Sequence, residues 1–255
     1  MRFLRARHRD QDYWGDLYDE ATIRLWTGAP YDGGEATDRF LPLRNVRTLP
    51  PCTPSKIVCV GRNYRRHAEE LGNDVPSEPL LFLKPPSALL APHGTVLLPP
   101  QSDRVEHEAE LALVVGRRAS RISEDDALLH VFAYTIANDV TARDLQKRDV
   151  QFTRGKGFDT FCPVGPWLET ELDPADLRVR LFVDEELRQD GRTSAMVFSV
   201  RTLIHYISSV MTLLPGDLLL TGTPAGVGPL RPADRVTIEI DGLGRLEHAV
   251  AARQP

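Results

Sequence analysis

The run VEHEAELALVVG, Val105 to Gly116, constrains the fold more than any other stretch of the chain. His107, Ala109, Leu111, Leu113 and Val115 are mostly apolar and alternate with Glu106, Glu108 and Glu110. A period of two is that of a strand, so three carboxylates are expected to leave one face of a sheet together. A second strand is expected from Tyr134 to Ala137, ending at Asn138 and Asp139, with Thr141 and Asp144 spaced as a capping box that opens a short helix. Glu108 and Glu110 on one strand, joined by Asp139 from a neighbouring strand end, can bring three oxygen ligands to one point. That donor set suits a hard divalent cation such as Mg²⁺ or Mn²⁺. An edge strand with a solvated acidic face is the commoner use of such spacing, and the pattern alone leaves both open.

The 255 residues, 42% hydrophobic and 26% charged, suffice for a sizeable core in one large domain with a small appendage. Net charge is -5 with both signs interspersed, which offers no electrostatic footprint for nucleic acid or an anionic membrane. A small molecule is the expected partner. Cys52, Cys59 and Cys162 are odd in number and form no C-x-x-C pair, against a disulfide framework or a structural zinc site. A reducing cytoplasm is the expected location. The segment MRFLRARHRDQDYW has no apolar core of signal-peptide length, and no apolar run approaches the ~18 residues of a membrane span.

Residues 1–50 read as a small N-terminal β module: a strand from Met1 to Arg5, a hairpin from Tyr13 to Trp26 around Asp19 and Glu20, and a loop from Asp32 to Gly34. Pro50, Pro51 and Pro54 make a stiff, extended linker, placing a domain boundary near Pro51 and a second domain over 51–255. Lys56 to Val60 reads as a strand, and RNYRRHAEELG as a helix carrying His67 and Glu70 on one face. There a carboxylate can hold one ring nitrogen and leave the other as a base, although a surface helix with both in water is the plainer alternative. Lys84 follows the apolar strand Leu80 to Leu83 and either snorkels or points into a site. Arg143 and Gln146 share a face of a helix from Ala142 to Val150. Lys156 lies between Gly155 and Gly157 in an expected flexible loop, where it is either exposed or brought close to a ligand. Leu177 to Val183 and Glu186 to Gln189 make a hairpin, and Val200 to Met211 a helix capped by Ser199. A strand from Asp217 to Leu220 leads into TGTPAGVG, whose N–H groups and Thr223 hydroxyl suit an anion; lacking the lysine of a phosphate loop, it fits a carboxylate better than a nucleotide. Arg235 to Ile240 and Arg245 to Val250 form a last hairpin.

Taken together, KIVCVGRNYRRHAEE, SEPLLFLKP, VEHEAELALVVG, NDVTARDLQ, the Lys156 loop with FCPVGPW, LRQDGRTSAMVFS and GDLLLTGTPAGVGPL resemble the fumarylacetoacetate hydrolase family. The resemblance runs from about residue 56 to 230. It implies an α+β fold, a mixed β-rich roll or barrel with flanking helices, usually dimeric, with one Mg²⁺ or Mn²⁺ held by Glu108, Glu110 and Asp139. By the same resemblance His67 and Glu70 form a catalytic dyad on a lid helix, Lys156 is catalytic, and Lys84, Arg143, Gln146 and Thr223 line the substrate pocket. Two positions depart from the family pattern. Glu106 stands where histidine or the shorter aspartate is usual, and Gly157 replaces a small hydroxyl residue. The N-terminal module is also too short for fumarylacetoacetate hydrolase itself.

Family substrates are 2-oxo acids or their enols, which can chelate the metal as enolate charge develops. That state has three outcomes: water attack with carbon-carbon cleavage, loss of CO₂, or proton transfer along a dienol. The short N-terminal module and the likeness to isomerases put an isomerase/decarboxylase of the 2-hydroxyhepta-2,4-diene-1,7-dioate type first, acting in catabolism of aromatic or related compounds. An acylpyruvate (fumarylpyruvate) hydrolase or oxaloacetate decarboxylase is the alternative, and a non-catalytic protein stabilised by Ca²⁺ the reading from another class.

Overall fold

The computed structural model describes residues 1–253. Strands β1 (Arg2–His8), β2 (Gln11–Leu17), β3 (Thr22–Trp26) and β4 (Ala36–Pro42) form an antiparallel meander, and β5 (Arg47–Leu49) returns onto β1. β4 escapes a periodicity reading because it is mostly exposed and carries no apolar alternation. After the prolines, β6 (Ile57–Gly61) and β7 (Leu80–Lys84) pair antiparallel around the short helix α1 (Arg65–Glu70). The strands β8 (Leu89–Leu90), β9 (Thr95–Leu98), β10 (Val105–His107), β11 (Ala109–Val115), β12 (Val131–Asn138) and β13 (Thr141–Ala142) come next, then helices α2 (Arg143–Asp149) and α3 (Thr153–Lys156). The last part holds β14 (Cys162–Glu169), β15 (Arg178–Val183), β16 (Glu186–Arg192), helix α4 (Val200–Val210), β17 (Leu218–Leu220), β18 (Gly228–Pro229), β19 (Arg235–Ile240) and β20 (Gly244–Ala252).

The fold is β-rich α+β, as expected, with open sheets in place of a closed barrel. The largest sheet runs β4-β3-β2-β1-β14-β12-β11-β17-β6-β7, with β5 on β1 and β8 on β14. Through β1 and β14 the N-terminal meander continues the same sheet as the central strands. A five-stranded sheet, β16-β15-β19-β20-β9, packs beside it, and a three-stranded one, β13-β10-β18, sits at the site. No helix among the described residues is long and apolar enough to cross a membrane.

β11 is a central strand between β12 and β17 with every residue buried, which disposes of a solvated acidic edge. Its apolar residues Leu111 and Leu113 join the main core with Leu203, Ile204 and Ile207 of α4. α4 begins as its sequence dictates: the Ser199 hydroxyl accepts the Thr202 N–H, a cap worth about 1 kcal/mol. The expected capping box at Thr141 and Asp144 does not form. Thr141 belongs to β13 and donates to the Asp139 carbonyl, Asp144 accepts from Ser102, and α2 starts after Ala142 without a side-chain cap. β14 carries Pro163, Gly165 and Pro166, residues that argue against a strand, yet it pairs with both β1 and β12.

Candidate active site

The site grows from the junction of β10 and β11. Glu108 lies between the two strands, and its N–H leaves the ladder to reach Asn138 Oδ1 at 2.9 Å. The Glu108 carbonyl accepts from the Asp139 N–H at 2.9 Å, so the two ligand-bearing segments are tied backbone to side chain and backbone to backbone. Glu110 stands on β11 opposite Ala137. One carboxylate oxygen each from Glu108, Glu110 and Asp139 lies within 4.8 Å of the others, and all three residues are buried. Glu106 does not share this point. It sits on β10, and its carboxylate accepts from Arg104 Nε at 2.6 Å and Arg143 Nε at 2.7 Å, because the break at Glu108 ends the common face.

Three buried cations face these acids. Lys84 Nζ reaches Asp139 Oδ1 at 2.6 Å and the Val140 carbonyl at 3.1 Å. Lys156 Nζ bridges Glu108 Oε2 at 2.7 Å and Asp139 Oδ2 at 2.6 Å. Arg143 donates to Glu106, Glu108 and, through Nη1 at 2.7 Å, to Gln146 Oε1. Lys84 is therefore neither snorkelling nor solvated, and Lys156 ends a helical turn in place of an exposed loop. The neighbouring glycines permit close packing: a Cβ on Gly155 would lie 2.9 Å from Gln146 N, and one on Gly157 would lie 2.5 Å from the Thr153 carbonyl oxygen.

The charge pairing is uneven in a way that tests the metal. With Arg104 on Glu106, four acids (Glu106, Glu108, Glu110, Asp139) meet four cations (Lys84, Arg104, Arg143, Lys156), yet Glu110 has no ion pair among the described residues; its Oε2 takes only the Gly222 N–H at 2.6 Å. Burial pushes the Glu110 carboxyl well up, and the charges of Asp139 and Glu108 push it further. Burial also acts to raise Glu108, but Lys156 and Arg143 outweigh it and hold that carboxyl far below the usual range. Burial tends to lower Lys156, and Asp139 with Glu108 reverses this. A convergent, oxygen-only donor set in which one buried carboxylate lacks a cation is an environment that a hard dication fits.

His67, on α1, is buried and lines the same cavity. Burial lowers its pKa, although the nearby Glu108 opposes the shift. Its Nδ1 has no hydrogen-bond partner; Glu70 Oε2 is 3.5 Å away, and both Glu70 oxygens accept the Gly226 N–H at 3.1 Å. The TGTPAGVG loop thus gives its N–H groups to two carboxylates of the chain itself, those of Glu110 and Glu70. Thr223 is buried, donates its one hydroxyl proton to the Ala109 carbonyl at 2.9 Å, and accepts from Gln189 Nε2 at 2.7 Å. His67, Glu108, Glu110, Arg143, Gln146, Lys156 and Thr223 all line one cavity of about 310 Å³. Lys84 and Asp139 lie beneath it and Glu70 behind His67.

A supporting layer went unread in the sequence. Asn138 Nδ2 donates to His248 Nε2 at 2.9 Å, and Gln189 Oε1 takes both His107 Nδ1 and the Ala109 N–H at 3.0 Å. Burial lowers His248 to about 4. The available signal was a polar residue on an apolar face: Leu246, His248 and Val250 alternate inward along β20.

Fold and site together define a class: β-rich enzymes built around a buried triad of carboxylates suited to a divalent cation. The family model described as fumarylacetoacetate (FAA) hydrolase C-terminal matches residues 56–251, and one described as Rv2993c-like, N-terminal matches residues 1–51. The chain belongs to the fumarylacetoacetate hydrolase family. It is 46% identical over 237 residues to Protein Rv2993c of Mycobacterium tuberculosis, covering 92% of this chain and 89% of that protein. The mitochondrial oxaloacetate tautomerase FAHD1 of Arabidopsis thaliana is 47% identical over 205 residues, 78% of this chain and 92% of its own. Among solved structures, the 2-hydroxyhepta-2,4-diene-1,7-dioate isomerase of Mycobacterium marinum superposes with a TM-score of 0.92 at 43% identity over 100% of both chains. The fumarylpyruvate hydrolase of Pseudomonas aeruginosa, in complex with Mn²⁺ and pyruvate, gives 0.74 at 33% identity over 85% of this chain and 93% of that one.

Proposed function

We propose that the protein is a divalent-metal-dependent isomerase of small 2-oxo or 2-hydroxydienoic acids, moving a proton between carbon and oxygen or along a conjugated enol. The observation that carries this reading is His67: a buried, neutral imidazole with an unpartnered Nδ1, in the same cavity as the carboxylate triad. A neutral imidazole is suited to taking and returning one proton. Mg²⁺ or Mn²⁺ held by Glu108, Glu110 and Asp139 supplies, when bound, Lewis-acid polarisation of the substrate's 2-oxo group. Lys156 and Arg143 keep positive charge at the triad, where an oxygen gaining negative charge is stabilised by groups already in place. A cavity of about 310 Å³ is at the small end for ligand sites, in keeping with a compact acid.

Hydrolysis of an acylpyruvate is the second reading, and the nearness of Glu70 to His67 favours it. It asks for a water-activating pair, whereas His67 Nδ1 and Glu70 Oε2 stand 3.5 Å apart here with no hydrogen bond at Nδ1, and the Glu70 carboxylate accepts the Gly226 N–H. Decarboxylation of oxaloacetate needs neither the pair nor an attacking water. The test is turnover by metal-free, Mg²⁺-loaded and Mn²⁺-loaded protein of oxaloacetate, acetylpyruvate, fumarylpyruvate and a 2-hydroxydienedioate. Enol absorbance and NMR in D₂O report the products. Metal-dependent deuterium uptake with the carbon skeleton intact is expected; release of pyruvate together with acetate or fumarate would favour hydrolysis, and release of pyruvate together with CO₂ from oxaloacetate would favour decarboxylation. The homodimer implied by the family resemblance is part of the same proposal, and light scattering reads it.

A further inference from the structure

β16 inverts the ordinary partition of a strand: it exposes Leu187 and buries Gln189 completely, its one buried residue. Burying an amide is unfavourable unless its donors and acceptors find partners. Gln189 finds four. Its Oε1 accepts from the Ala109 N–H and from His107 Nδ1, both at 3.0 Å, and its Nε2 donates to Thr223 Oγ1 at 2.7 Å and to the Pro224 carbonyl at 2.8 Å. The orientation of the amide is fixed, because a backbone N–H can only donate and a carbonyl can only accept. One side chain of the five-stranded sheet thereby holds a residue of the largest sheet, a residue of the three-stranded sheet and the TGTPAGVG loop.

Both attachments lead to the carboxylate triad. Ala109 stands between Glu108 and Glu110, and its carbonyl accepts the Thr223 hydroxyl at 2.9 Å, so Gln189 and Thr223 together grip both polar groups of its backbone. Two consecutive N–H groups, those of Glu108 and Ala109, therefore go to side-chain amides, Asn138 and Gln189, at the break where the glutamates converge. On the loop side Gly222, next to Thr223, donates to Glu110 Oε2 at 2.6 Å. The loop lies against the β16 backbone: a Cβ on Gly191 would lie 2.5 Å from Pro224 Cβ, and one on Gly226 would run into the Arg188 carbonyl. A fully satisfied buried network of this kind rigidifies the segments it joins.

Resting on the metal-dependent reading above, we infer that Gln189 is a positioning residue of the metal centre, which sets the spacing of Glu108 and Glu110 from a separate sheet. It acts through Ala109 and through the loop that orients Glu110.

The test compares Gln189→Met, which keeps the length of the side chain and removes all four bonds, with Leu203→Ala, which cuts back a comparably buried apolar side chain on α4. Mn²⁺ affinity is read by calorimetry, and the geometry of the ligands by the electron paramagnetic resonance of bound Mn²⁺, at a temperature where circular dichroism shows each chain folded. Gln189→Met is expected to lose about tenfold or more in affinity and to alter the Mn²⁺ spectrum. Leu203→Ala, although destabilised, is expected to stay within about twofold of the parent and to keep its spectrum. If Gln189→Met does not fold, Gln189→Glu decides: it keeps the acceptor for Ala109, removes both donors to the loop, and is expected to lose about threefold or more in spite of the added negative charge. A smaller loss in the deciding variant, or an equal loss in Leu203→Ala, overturns the assignment and leaves metal dependence standing. Failure of the parent to bind Mn²⁺ overturns both. The expected loss, found together with no metal-dependent deuterium uptake by the parent, upholds the role of Gln189 and overturns the isomerase reading.

Discussion

Replacing Lys156 with methionine should make the stability of the protein depend sharply on metal. The ammonium group is 2% exposed and lies 2.7 Å from Glu108 and 2.6 Å from Asp139. Methionine keeps most of the volume, so charge is what the substitution removes. Breaking a buried ion pair by deleting one partner costs about 3–5 kcal/mol. Glu108 retains Arg143 and Asp139 retains Lys84, which argues for the lower end, about 3 kcal/mol. At about 2–4 °C per kcal/mol for a chain of this size, the thermal midpoint in EDTA should fall by about 6–12 °C. In saturating Mg²⁺ or Mn²⁺ the dication replaces the missing charge, and the fall should shrink to less than half. Differential scanning calorimetry of both proteins in both conditions decides it. Equal falls with and without metal, or a fall below about 2 °C in EDTA, would refute the view that Lys156 serves as counter-ion to the triad.

Asn138→Ala strands two buried groups, the Glu108 N–H and His248 Nε2, at about 1–3 kcal/mol each. Because the first belongs to a triad residue, Mn²⁺ affinity should drop about tenfold or more by calorimetry; a drop under about threefold would show that Glu108 is aimed without Asn138. His248 titrates near 6.5 when unfolded and, buried, at about 4 when folded, so the unfolded chain binds its proton first. Its contribution, about 3 kcal/mol from that gap, is present above 6.5 and lost as pH falls through 4; urea midpoints of His248→Gln should accordingly fall less steeply over that range than the parent's. Parallel curves would mean that His248 accommodates a proton in place. Gly226→Ala would put a Cβ 2.1 Å from the Arg188 carbonyl at a φ of 101°, costing about 1–3 kcal/mol and loosening the Glu70 contact that steadies α1. Its kcat/KM should fall more than its midpoint predicts, and an unchanged kcat/KM would divorce that contact from turnover.

Local periodicity made α4 and the two C-terminal hairpins legible, because in each the residues that face the core recur with the element's own period, whereas β11 was legible as a run of apolar residues buried on both faces. Periodicity could not expose the break at Glu108, since Glu106 keeps the alternation and yet lies on a different sheet, in β10, where it turns to Arg143 of α2. Lysines are equally opaque. Whether Lys84 and Lys156 lie in water or against Asp139 depends on strands 55 and 17 residues away, and no local rule carries that information. Thr141 and Asp144 had a capping signature, and pairing of β13 with β10 overrode it. Gln189 reaches its four partners across 34 to 82 residues and left no trace in the sequence around it.

The pairing of β6 with β17 also fixes the order in which a growing chain can become an enzyme. Ile57 to Cys59 are completely buried and lie beside Leu218 to Leu220, with Asp217 accepting from the Ser55 and Lys56 backbones 162 and 161 residues earlier. At about 5–20 residues per second, a ribosome needs on the order of ten to thirty seconds to deliver that partner. Until then the β6 edge of a largely apolar strand pair stays open, the kind of edge on which nascent chains associate with one another. A chain cut just before Asp217 would keep that edge for good, and its fate should be aggregation and not a partly active fragment.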